Sequence, residues 1–255
     1  MSERKKRRIS RSTVLYLPAS VLAIGFLTVF GLSVFTRIME INVTGISMYS
    51  REEIIESSGI SPSDNLLFFD MDAALEKIQA EMPFVRDVKI KREPPSAILI
   101  EVTESTALAA FTYQGGVLIV DSDCKVLKKA DSLPEGLIEI TGLSTPVDPA
   151  EGSPLKAEMG NENQLQYLKD VLSAIEKEGM QNDISYLDVA NTSNINFGYL
   201  GRFRVILGNP SNVRHKLSQL PDHVTKINTE SSSVDISGEI NMSGQNGEYR
   251  FTPKT

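Results

Sequence analysis

From Val14 to Phe35 the chain is apolar almost without interruption, and no Asp, Glu, Lys or Arg occurs between Arg11 and Arg37. As a helix those 22 residues would extend about 33 Å, against a hydrocarbon core of roughly 30 Å. One charge at the bilayer centre costs about 2.5–3.5 kcal/mol, so a charge-free run of this length predicts a single transmembrane helix over 14–35. A cleaved signal peptide would have an apolar region of about 7–15 residues ending in small residues, and Ser33-Val34-Phe35-Thr36 supplies no such end. The pattern predicts a retained anchor.

Beyond Arg37 the period of the pattern changes. Ile41 and Val43 alternate with polar residues in a short strand closed by Gly45. Ser50 followed by Glu53 matches a capping box, with Ile54 and Ile55 on the helix behind it. Asp70 is placed to cap a second helix whose Ala74, Leu75 and Ile78 share one face, and Pro83 ends it. Val88 and Ile90 alternate in the next strand. After Arg92-Glu93-Pro94-Pro95 comes another, with Ile98, Ile100 and Val102 on one side. The order is β-α-α-β-β, a small α+β domain over 38–105, with two helices available to cover a sheet's apolar face.

The remainder, 106–237, predicts a mixed, strand-rich domain. Val117–Val120 and Lys125–Leu127 flank a hairpin turn at Asp121–Cys124. Leu137–Ile140, Leu187–Val189 and the alternating Phe203, Val205 and Leu207 are further strands, and Val234-Asp235-Ile236 is the last. Leu165, Leu168, Leu172 and Ile175 mark one helix. Val213, Leu217 and Leu220 mark a second, opened by Asn209-Pro210 and closed by Pro221. Residues 144–160 read as a loop. The Gly-, Ser- and Asn-rich stretch 238–255 predicts a flexible C-terminal tail, with a short strand at 249–251.

Charge adds a direction. Arg4, Lys5, Lys6, Arg7, Arg8 and Arg11 precede the span, and only Arg37 and then Arg51 follow it closely. The positive-inside rule therefore places the basic tail 1–13 in the cytoplasm and the rest of the chain outside it. Beyond Arg37 lie 19 of the 26 Lys and Arg but 32 of the 33 Asp and Glu, a balance that argues against nucleic-acid binding. One cysteine, Cys124, cannot make an intramolecular disulfide, so the external part must fold on its core.

Candidate chemistry is thin. Ser122-Asp-Cys-Lys125 and Ser153-Pro-Leu-Lys156 fit Ser-x-x-Lys, Ser63-Asp64-Asn65 fits Ser-Asp-Asn, and Lys254-Thr255 begins Lys-Thr-Gly. Their order is wrong for a penicillin-binding site, and Ser122 falls in a hairpin, where that chemistry needs a helix. His215 and His223, with Cys124 far off in sequence, do not make a zinc set without carboxylates. Three Asn-x-Ser/Thr sequons, at Asn42, Asn191 and Asn241, are what composition gives by chance. The reading is non-enzymatic, with no cofactor and no metal.

The fragments Ile41-Asn42-Val43-Thr44-Gly45, Ser50-Arg51-Glu52-Glu53-Ile54, Ser58-Gly59, Asn65-Leu66-Leu67, Pro83-Phe84-Val85, Lys91-Arg92-Glu93-Pro94-Pro95 and Leu99-Ile100-Glu101-Val102-Thr103-Glu104 stand in order behind one span. Ala107-Leu108-Ala109 and Val120-Asp121 follow. In that order and spacing the chain resembles the FtsQ/DivIB family of bacterial cell division proteins. Ser105 and Cys124 stand where the family often has Arg and Gly. The resemblance implies a span, a POTRA domain and a β domain in a non-catalytic bitopic scaffold of the divisome. It further implies binding to the coiled-coil partners FtsB (or DivIC) and FtsL, and a place in the inner membrane at the division septum. The family binds partners through late strands of the β domain, and the segment here that most nearly corresponds is Ser233-Val234-Asp235-Ile236-Ser237. The alternative is a single-pass POTRA-like adaptor in envelope assembly or secretion.

Overall fold

The computed structural model describes residues 18–27, 31, 36–144, 146, 149–209, 211–231, 236–244 and 248–254. The basic residues Arg4 to Arg11 lie outside the described residues. Of the expected span, residues 18–27 form helix α1, with Leu22, Phe26 and Leu27 exposed. No helix among the described residues is long and apolar enough to cross a membrane.

Two units follow. The first comprises residues up to Ile78 together with Asp87–Thr103, and the second Gln79–Arg86 together with the chain from Glu104 onward. In the first, β1 (Glu40–Thr44), α2 (Arg51–Ser58), α3 (Met71–Glu81), β2 (Val85–Glu93) and β3 (Ala97–Glu104) appear in the expected order. The three strands form a sheet β1-β3-β2, with β1 parallel to β3. Local chemistry sets the helix starts. Ser50 Oγ accepts from the Glu53 N–H and Glu53 Oε2 accepts from the Ser50 N–H, which closes the capping box on α2. Asp70 Oδ1 accepts from the N–H groups of Asp72 and Ala73 at the head of α3. Gly45 has a φ of +81°, and a Cβ there would run into the Val102 carbonyl, so the turn out of β1 requires glycine. Ile41, Ile54, Ile78, Ile98 and Ile100 are buried.

The second unit holds one nine-stranded sheet. Its strands are β4 (Ala109–Tyr113), β5 (Gly116–Val120), β6 (Val126–Ala130), β7 (Ile138–Thr141), β8 (Ile184–Asp188), β9 (Ile195–Tyr199), β10 (Phe203–Gly208), β11 (Gly238–Asn241) and β12 (Arg250–Pro253). In space the order is β12-β11-β10-β9-β8-β7-β4-β5-β6. Helix α4 (Glu162–Glu178) connects the parallel pair β7 and β8, and α5 (Val213–Glu230) connects the parallel pair β10 and β11. A parallel pair needs such a crossover, and each helix returns its apolar face to the sheet. Leu168, Val171, Leu172 and Ile175 of α4 and Val213, Leu217, Leu220, Val224 and Ile227 of α5 join the strand residues Phe197, Val205 and Ile240 in one core. Ala110, Val117 and Ile119 form a small second cluster.

Two expectations are corrected. Pro221 does not close α5; the helix runs through it to Glu230. A proline forfeits one backbone bond, but Val224 and Ile227 carry the apolar stripe onward and are buried, which offsets that loss. Residues 238–255 are not a tail throughout. Residues 238–241 and 250–253 form paired strands, held by Ile240 and Met242 in the core and by Phe251 packed against it.

Candidate functional site

An exposed sheet edge is a row of unpaired backbone groups, so the two edges of the larger sheet determine where another chain can add. The β6 edge is occupied. The Val126 N–H donates to Ser153 O at 2.9 Å, the Gly152 N–H to Val126 O at 2.8 Å, and the Lys129 N–H to Glu151 Oε1 at 2.8 Å. In the smaller sheet, the Arg51 guanidinium donates to the Ile41 carbonyl on β1.

At the other edge of the larger sheet, β12 pairs antiparallel with β11 in the register Glu239↔Thr252 and Ile240↔Phe251. The Lys254 N–H donates to Ser237 O at 2.9 Å. Hydrogen-bonded and non-hydrogen-bonded pairs alternate in such a ladder, so Thr252 and Arg250 bond inward to β11. The N–H and C=O of Phe251 point outward, as does the Pro253 carbonyl, while Pro253 has no N–H to offer. Gly238 permits the close approach of the two strands: a Cβ there would strike the Thr252 carbonyl and lie 2.8 Å from the Phe251 ring.

Side chains divide between the two faces. Phe251 meets Phe203 edge-on, with centroids 6.2 Å apart, on the core side. On the other side an open groove of about 420 Å³ is lined by Arg202, Arg204, Glu239, Thr252, Pro253 and Lys254. Arg204 lies 3.6 Å from Glu239, and its Nε donates to Asn196 Oδ1 at 3.3 Å. Three cations against one carboxylate give the groove a positive balance suited to an acidic strand or helix end. His223 of α5 stacks on Tyr249, just ahead of β12, with centroids 4.0 Å apart. Burial lowers the pKa of that imidazole.

Of the segment expected to bind partners, Ile236 and Ser237 are the described residues, and they precede β11 rather than form the sheet edge. Ser233, Val234 and Asp235 lie outside the described residues. Ile236 and Ser237 lead into β11, where their carbonyls accept from Arg202 Nη1 at 3.4 Å and from the Lys254 N–H. The short strand expected at 249–251 falls on β12, whereas β11 was not expected, because 238–255 is sparse in apolar residues. The signal for β12 is Glu248-Tyr-Arg-Phe-Thr-Pro253, an alternation that ends in an edge-strand proline.

The catalytic fragments are engaged elsewhere. Ser122 Oγ donates to Glu176 Oε2 at 2.6 Å, and Arg86 Nη2 donates to Glu176 Oε1 at 2.9 Å. Lys125 Nζ donates to the Val85 carbonyl at 2.6 Å. Asp121, fully buried, accepts from Ser105 Oγ at 2.6 Å and from the N–H groups of Asp123 and Lys125. Cys124 sits in the turn with φ of 58°, and burial pushes its thiol up to about 12, so it is not a thiolate nucleophile. Among the described residues no group of three or more His, Cys, Asp or Glu could hold a metal ion.

Residues 36–105 match the sequence family described as "POTRA domain, FtsQ-type", which defines the first unit as a module of that class. The chain is 26% identical over 186 residues to the cell division protein DivIB of Clostridium tetani, covering 72% of this chain and 68% of that protein. It is 29% identical over 133 residues to the cell division protein FtsQ of Anaeromyxobacter, covering 49% and 45% of the two chains. To FtsQ of Corynebacterium glutamicum it is 28% identical over 145 residues, covering 57% and 58%. The matches thus span about half the length of these two FtsQ proteins. The chain thus carries an FtsQ-type POTRA domain and is similar, over as much as 72% of its length, to cell division proteins named DivIB and FtsQ.

Proposed function

We propose that this protein is a non-catalytic scaffold of the bacterial division machinery. Residues 14–35 anchor it in the inner membrane at the septum, with the basic tail in the cytoplasm. The nine-stranded sheet faces outside and docks strands from FtsB/DivIC-like and FtsL-like coiled-coil partners. The observation that carries this reading is β12, an edge strand whose Phe251 N–H and C=O face outward beside a cationic groove, in a sheet whose other edge is occupied. Strand addition supplies affinity through main-chain hydrogen bonds and specificity through alternate side chains.

The test compares two substitutions in the full chain, with affinity for the FtsB-like partner as the readout. Phe251→Ala removes the ring but keeps the outward N–H; Phe251→Pro removes both and leaves the inward bonds of Arg250 and Thr252 intact. One backbone hydrogen bond is worth about 0.5–1.5 kcal/mol net, so the proline variant binds about 2- to 13-fold more weakly than the alanine variant. Equal affinities of two folded variants refute docking at this edge.

A further inference from the structure

The first unit carries an apolar feature that its own core does not use. Phe68 is 76% exposed, Leu67 43% and Met39 80%. The loop that bears the first two is held rigidly. Asn65 O accepts from the N–H groups of Phe68 and Phe69 at 3.1 and 3.0 Å, and Asn65 Oδ1 accepts from the Leu67 N–H at 2.9 Å. Arg92 Nε donates to the Leu66 carbonyl at 2.6 Å and Nη2 to the Phe69 carbonyl at 3.3 Å. Its guanidinium lies 5.1 Å from the centre of the Phe69 ring. Leu66 is fully buried and pins the loop from beneath. These hydrogen bonds hold two large apolar side chains outward.

Where the loop is tied matters. The Leu66 N–H donates to the Thr36 carbonyl at 2.7 Å, the Ile38 N–H to Asp64 O at 2.9 Å, and the Ser63 N–H to Ile38 O at 3.2 Å. Thr36 directly follows the apolar run that ends at Phe35. With at most about 3.6 Å of chain per residue, the Phe68 backbone lies within roughly 10 Å of the Thr36 carbonyl. The headgroup zone on each side of a bilayer is about 5–8 Å deep. Leu66 and Phe69 carbonyls already accept from Arg92, so the loop carries fewer unsatisfied backbone groups into a region poor in water. Arg37 and Arg92 stand beside it as cations for lipid phosphates, while Asp64 and Asp70 accept from the backbone N–H groups of Ser61 and Ala73.

We propose that Leu67, Phe68 and Met39 form a membrane-seating surface, inserted at the boundary of headgroups and acyl chains in the leaflet where the span emerges. The inference rests on the reading of 14–35 as a span. It makes the POTRA unit a body held against the bilayer by a second contact rather than one swinging on Thr36.

The chain contains no tryptophan, so Phe68→Trp creates a single reporter. The full-length variant is reconstituted into phosphatidylethanolamine–phosphatidylglycerol vesicles containing lipid brominated near the top of the acyl chains. Met48→Trp is the comparison, exposed like Phe68 but beyond the far end of β1, a strand roughly 16 Å long. Blue-shifted emission at position 68 that loses most of its intensity to the bromolipid, with position 48 unaffected, is the expected result. A chain that floats with the vesicles while position 68 stays unquenched overturns the seating and leaves the span intact. A blue shift without quenching shows burial against protein and also overturns it, as does equal quenching at both positions. A chain that does not float overturns the span and the seating together.

Discussion

Gln164 is the residue whose loss the second unit should feel most for its size. It stands in the first turn of α4 and is 8% exposed. Its Nε2 donates to the carbonyls of Gly142 and Val189, both at 2.8 Å, and its Oε1 accepts from the Ser144 N–H at 2.9 Å. Gly142 follows β7 and Val189 follows β8, so one amide clamps the ends of two parallel strands to the helix that connects them. Gln164→Met keeps the volume and removes all three bonds. At about 0.5–1.5 kcal/mol each, the loss is about 1.5–4.5 kcal/mol, with two carbonyls left without their partner. For a unit of this size 1 kcal/mol moves Tm by about 2–4 °C, so a loss near 3 kcal/mol lowers Tm by about 6–12 °C. Calorimetry on the full chain measures it, with Gln166→Met as the reference. Gln166 reaches only Asp170, on the exposed side of the same helix, and should cost under about 0.5 kcal/mol. A fall of less than about 2 °C, or one equal to that of Gln166→Met, refutes the clamp.

Two further outcomes are expected. Gly238→Ala places a Cβ against the Thr252 carbonyl and should lift β12 off β11, seen as faster amide exchange at Arg250 and Thr252 with β7–β9 unchanged; unchanged exchange at those two amides contradicts the close-approach argument. Burial alone would raise the Glu176 carboxyl, but hydrogen bonds from Arg86 and Ser122, with the guanidinium charge, outweigh it and hold the pKa below the ordinary 4.5. The contribution is therefore fully present above that ordinary value and is lost as pH falls through the lower folded-state value. Urea midpoints followed from pH 6 to pH 3 should fall less steeply in Glu176→Gln than in the parent, and identical slopes would contradict the assignment.

The sequence made the first unit legible because its signals are local. The Ser50–Glu53 box, the Asp70 cap and the alternation in β1 and β3 each act within a few residues, and each is found where it was expected. The second unit hid what depends on distant partners. All five residues of β9, Ile195-Asn-Phe-Gly-Tyr199, are buried, so no polar face alternates with an apolar one. β4 begins with Ala109 and Ala110, small residues buried on opposite faces, which carry little periodic signal. Gln164 on an apolar helix face looks like an interruption until the ends of β7 and β8 are placed beside it. Pro221 reads locally as a stop and is overruled by the buried stripe on either side. For the candidate site, the general idea of a late strand at an edge could be read from the chain. Which strand ends the sheet could not, because β12 takes its place only from the pairing with β11.

That dependence has a consequence for when the protein can work. β12 rests on β11, β11 lies beside β10 only after α5 has crossed over, and α5 holds its place through the core built on α4 and the central strands. The proposed docking ledge is thus the outermost course of a wall whose lower courses must already be laid. If partners dock at β12 as proposed, a chain arrested or damaged anywhere beneath offers them nothing to grip, and competence to recruit doubles as a certificate of completed folding.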